Sequence, residues 1–135
     1  MDAQRAPPEA TGADAIAAAA REIAETLDLD SIACWTSSGA TALRVARERP
    51  HSPIVSITPN LATGRRLAVA WGVHSVLAED AHDVDDMVDR ACRIAVKDGF
   101  AVPGRRIIVV AGVPFGTPGA TNMVRIALVG PDAAG

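Results

Sequence analysis

A short apolar run, Ser31 to Thr36, stops at Ser37-Ser38-Gly39 and gives way at once to a helical pattern from Ala40 to Arg49 with Leu43 and Ala46 inward. The unit then recurs. Pro53 to Ile57 reads as a buried strand, Thr58-Pro59-Asn60 as a turn, and Leu61 to Trp71 as a helix that Gly72 ends at a natural C-cap position. Two strand–turn–helix units in tandem constrain the fold more than any other feature, because parallel strands need a crossover and these helices supply it.

The remaining segments continue the alternation. A helix is expected from Ala13 to Leu27, with Ile16, Ala20, Ile23 and Leu27 on one face, and a third strand from Val73 to Ala78. Asp83 to Asp98 is a second strong helix: Asp83, Asp85 and Asp86 suit its positive end, Lys97 its negative end, and Val84, Met87, Val88, Ala91, Ile94 and Ala95 form its apolar stripe. Arg106 to Ala111 is the most β-prone run, followed by a Gly- and Pro-rich loop, Gly112 to Thr121, and a last strand, Asn122 to Val129. That loop is too short for a crossover helix, so the last strand should be antiparallel. Residues 1–12, with Pro7-Pro8, read as a linker or disordered lead-in, residues 13–130 as the domain, and residues 131–135 as a tail. The expected architecture is an α/β three-layer sandwich, a mostly parallel sheet with helices on both faces and one antiparallel edge strand.

At 135 residues there is room for one domain. The charge of −3 disfavours polyanions and anionic membranes as partners, and only four aromatic residues argue against base stacking on nucleic acid. Cys34 and Cys92 lie far apart in apolar runs and read as buried free thiols rather than a disulfide or zinc site. No stretch is long and apolar enough to span a bilayer, and Met1 to Thr11 lacks a signal peptide's apolar core, so a cytoplasmic protein is expected.

Chemistry concentrates at Thr36-Ser37-Ser38-Gly39-Ala40-Thr41, where hydroxyl residues and a glycine are packed between a strand end and a helix start. Hydroxyls, free amides and a glycine there make an anion pocket, and a plain helix cap by Ser37 or Ser38 is the alternative. The loop Gly112 to Thr121 should emerge on the same side and fold over it, or be only a turn. His51, His74 and His82 have no metal-ligand spacing, and Glu79, Asp80, Asp83, Asp85 and Asp86 fit a helix N-terminus better than a metal site. Arg44, Arg47, Arg49, Arg65 and Arg66 read as a basic scatter on two helices, able to meet a phosphate or a partner's acids but expected mainly as a solvated face. Phosphate-loop and dinucleotide-binding glycine motifs are absent, and no catalytic residues are assigned.

Taken in order, Ala-Glu-Thr (24–26), Thr-Ser-Ser-Gly-Ala-Thr (36–41), Arg-Val-Ala-Arg-Glu-Arg-Pro (44–50), Pro-Ile-Val-Ser-Ile-Thr (53–58), Trp-Gly-Val (71–73), Asp-Gly-Phe (98–100), Pro-Gly (103–104) and Gly-Thr-Pro-Gly-Ala-Thr-Asn (116–122) resemble the pyruvate kinase C-terminal domain over residues 13–129. The resemblance implies a five-stranded sheet with the last strand antiparallel, joined in the whole enzyme to a barrel that transfers phosphoryl from phosphoenolpyruvate to ADP. Magnesium and potassium belong to that barrel, so no cofactor is expected here, and the chain is not expected to be active alone. It further implies a phosphorylated effector, AMP or a sugar phosphate, at Thr36, Ser37, Ser38, Gly39, Ala40 and Thr41, with Gly116, Thr117, Gly119, Ala120 and Thr121 closing over it. Members that respond to a sugar bisphosphate place a Trp and an Arg around the second phosphate; here that stretch reads Asp80 to Met87, with neither. A homo-oligomer is implied too, with Asn122 to Val129 as a partner edge. A free-standing phosphate-binding protein or enzyme on this fold, or a structural dimer module, are the alternatives.

Overall fold

Each strand follows from where its side chains end up. In the computed structural model, which describes residues 8–112 and 121–134, Ile32–Trp35 (β1) and Ile54–Thr58 (β2) are buried at every position, as expected of strands covered on both faces. Val73–Leu77 (β3) and Met123–Leu128 (β5) are only partly buried and form the two edges, while Arg106–Ala111 (β4) is buried beyond its first residue. Among the described residues the sheet has five strands in the order β3-β2-β1-β4-β5, with β1 central. Its first three pairings are parallel, and β4 with β5 is antiparallel, matching Arg106 to Leu128 and Ala111 to Met123.

Alternation along the strands divides the core into two layers. Ile32, Cys34, Ile54, Ile108 and Val110 point to one face, under helices α1 (Pro8–Thr26), α2 (Ala40–Arg47) and α3 (Leu61–Leu67). Ala33, Trp35, Val55, Ile57, Ile107 and Val109 point to the other, under α4 (Val84–Lys97). The expected sandwich, with helices on both faces, is therefore observed.

Four local readings need correction. Helix α1 begins at Pro8, inside the segment read as a lead-in, because a proline in the first turn sacrifices no helical hydrogen bond. Its fully buried stripe is Ala13, Ala17, Ala20 and Ala24; Ile16 and Ile23 pack at the margin, and Leu27 is exposed. Alanine lets the helix backbone approach the sheet closely. Helix α3 stops at Leu67 rather than Trp71: the amides of Ala70 and Val73 turn back to Leu67 and Ala70, and Gly72 adopts φ +77°. Finally, the tail is not without structure: Pro131–Ala134 form a 3₁₀ turn against α4, with Ala133 packed on the core.

Candidate functional site

Strand β1 carries the chain to the carboxyl edge of the sheet, and the Thr36–Thr41 turn follows directly. This is where ligands collect in open parallel sheets. Thr36 Oγ1 accepts from the amide of Gly39 at 2.8 Å, and Ser38 Oγ from the amide of Ala40 at 3.3 Å. Gly39 occupies the N-cap of α2 at φ +94°, with no side-chain cap bond, so neither Ser37 nor Ser38 is the N-cap residue. The left-handed conformation there explains the glycine: it turns the chain from strand to helix where an L side chain is disfavoured.

The turn is braced from α3. Thr63 Oγ1 donates to the carbonyl of Ser37 at 2.9 Å, and Arg66 Nη2 donates to the carbonyl of Ser38 at 2.7 Å. Asn60 caps α3 by accepting from the Thr63 amide at 3.1 Å, so the cap and the brace meet at one residue. Thr63 is the site residue that sequence reasoning missed; its only signal was a hydroxyl three residues after Asn60. Arg66, expected on a solvated face, is exposed and also reaches the turn.

On the opposite flank, Thr41 Oγ1 and Thr121 Oγ1 share a hydrogen bond of 2.6 Å, and both residues are buried. Arg44 Nη1 donates to the same Thr121 hydroxyl at 3.4 Å and pairs with Asp14 at 3.5 Å. Thr121 thus meets the turn, whereas Gly116, Thr117, Gly119 and Ala120 lie outside the described residues.

Beneath the turn the other layer holds β1 in place. The Trp35 indole donates to the carbonyl of Met87 at 3.2 Å, and the Arg90 guanidinium lies 5.1 Å from the Trp35 ring centroid. Arg90 also donates to the carbonyls of Glu79 and Asp80, tying the acidic segment 79–86 to this corner. Within that segment Asp83 caps α4, and Asp86 accepts from the amide of His82 at 2.9 Å. That amide, aided by Arg90, holds the Asp86 carboxyl below its ordinary range. Asp83 and Asp86 thus serve the helix start, and among the described residues no group of three His, Cys, Asp or Glu side chains is placed to hold a metal ion.

The thiols are buried and unpaired as disulfides; burial pushes Cys34 up to about 12 and also raises Cys92. His74 pairs with Asp98 at 2.8 Å. Among the described residues no helix is long and apolar enough to cross a membrane.

Comparison with known proteins agrees with this architecture. The family described as pyruvate kinase, alpha/beta domain, matches residues 14–127. A pyruvate kinase of Methylorubrum extorquens is 59% identical over 127 residues, covering 94% of this chain and 27% of that protein. Those of Staphylococcus haemolyticus and Agrobacterium vitis are 38% and 41% identical, covering 90% and 86% of this chain and 21% and 24% of theirs. The chain spans about a quarter of the length of these curated relatives. It belongs to the pyruvate kinase family, as the C-terminal alpha/beta domain.

Proposed function

We propose that this chain is the regulatory and subunit-contact domain of a pyruvate kinase, taking a phosphorylated effector, AMP or a sugar phosphate, at the Thr36–Thr41 turn. Phosphoryl transfer, with its magnesium and potassium, is assigned to the barrel that such a domain adjoins. One observation carries the effector reading: four hydroxyl residues, Thr36, Ser37, Ser38 and Thr41, and a left-handed glycine converge at the N-terminus of α2, with Thr121, Arg44 and Arg66 against them. The helix end offers amides and a positive dipole, and the arginines add charge. The amides of Gly39 and Ala40 donate to Thr36 Oγ1 and Ser38 Oγ, so an incoming phosphate would replace those side chains as acceptor.

The test is a melting-temperature titration with AMP, ribose 5-phosphate, glucose 6-phosphate and fructose 1,6-bisphosphate. A ligand at about 100 times its dissociation constant should add about 2.7 kcal/mol of stability. Ser38→Ala with Thr41→Ala should abolish the shift while the fold persists. If none of the four, nor inorganic phosphate, moves the transition, the effector reading fails. A purely structural role then stands, favoured by the exposure of Ile126 and Leu128 on the edge strand β5.

A further inference from the structure

The face between α2 and α3 carries an apolar surface that neither the core nor the Thr36–Thr41 turn uses. Trp71 is 75% exposed and Val69 88%, with Leu43 and Leu61 also exposed. Leu43, Ala46, Arg47, Arg49, Ala70 and Trp71 line a hollow of about 340 Å³. A second hollow of about 160 Å³ adjoins it, sharing Ala46 and Trp71 and running on to His51 and Pro53. The result is a trough rather than a single small-molecule cup.

Its charge is as distinctive as its apolarity. Residues 43–72 hold five arginines and one acid, within a chain whose net charge is −3. Arg49 lies over the Trp71 ring at 5.5 Å from its centroid. Among the described residues, no carboxylate pairs with Arg47, Arg49, Arg65 or Arg66. Arg49 moreover sits at φ +53° just past the end of α2, a position glycine normally takes. Tryptophan and arginine set together in an apolar trough are the side chains that dominate protein interfaces.

From this charge pattern we infer that the α2–α3 trough docks an acidic polypeptide segment carrying a large apolar anchor. The anchor would lie beside Trp71 and Leu43, and its carboxylates would pair with Arg47 and Arg49. A symmetric contact between two copies through this face would set arginine against arginine, so the complementary surface is a different, acidic one.

The experiment follows Trp71 fluorescence while a short amphipathic peptide of Glu and Leu with one Phe is added to the full chain. Trp35 is buried and supplies a steady background. A saturable blue shift is expected; replacing Glu by Gln, or raising the salt, should weaken binding about tenfold or more. Arg47→Glu with Arg49→Glu should abolish binding, as should Trp71→Ala followed by anisotropy of a labelled peptide, each with an unchanged circular dichroism spectrum. Ser38→Ala with Thr41→Ala should bind the peptide like the parent. Four results would overturn the inference: no saturable shift, equal binding of the Gln peptide, loss of binding in the Ser38/Thr41 variant, or self-association of the chain that Trp71→Ala removes.

Discussion

Gly39 shows how one residue can fix a site. At φ +94°, an alanine would incur the left-handed cost of about 1–2 kcal/mol, and its Cβ would lie 3.4 Å from Thr63 Cγ2, an ordinary contact. Gly39→Ala should therefore lower stability by about that amount, read from the urea midpoint, through backbone strain rather than collision. The Thr41–Thr121 bond gives a second expectation. Removing either hydroxyl leaves the other buried without this partner, so Thr41→Val or Thr121→Val should each cost about 1 kcal/mol, and the double variant less than their sum. Strict additivity in that cycle would mean the two hydroxyls do not interact. Asp86 predicts a pH effect. Its folded carboxyl is held below its unfolded value, so the stabilisation is fully present above the unfolded value and is lost as pH falls through the folded one. Asp86→Asn should flatten the acid-side decline of melting temperature, whereas an unchanged slope would remove Asp86 from the account.

At the scale of elements, α1 separates what the sequence discloses from what it conceals. Its helical period was legible, but the inward stripe of Ala13, Ala17, Ala20 and Ala24 was not, because bulky Ile16, Ile23 and Leu27 carry the stronger hydrophobic signal. Alanine is chosen there for closeness of approach, which appears only once the sheet is in place. Ala20, fully buried, tests this: Ala20→Leu should destabilise by about 1–3 kcal/mol through overpacking, measured by denaturant unfolding. A neutral result would mean that α1 has room to spare. The three inner strands, β1, β2 and β4, were legible because strands buried on both faces are unbroken apolar runs with Gly, Pro or Ser near their ends. The premature end of α3 was not, since Ala68 to Trp71 suit a helix as well as a turn, and the decision falls to Gly72 at φ +77°. Within the site, the hydroxyl turn stood out as a cluster, while Thr63 and Arg66 did not, because their role exists only where α3 crosses the turn.

Across the whole molecule, the central position of β1 brings these parts together. Its carboxyl end delivers Thr36 to Thr41 to a corner bounded by α3, by Thr121 just before β5, and by the acidic segment that Arg90 ties to Trp35. Arg44 and Arg66 reach this corner from α2 and α3, while the acids of segment 79–86 gather on the α4 side with Arg90 among them. Its contact with Thr121 also places the proposed effector site two residues from the antiparallel edge strand. The central claim is that a phosphate is taken at this turn. The most direct measurement is an amide chemical-shift titration of the isotope-labelled chain with AMP and with glucose 6-phosphate. The account predicts saturable shifts centred on Gly39, Ala40, Thr41 and Thr121 for at least one of them; saturable shifts centred elsewhere, or none for either ligand, would contradict it.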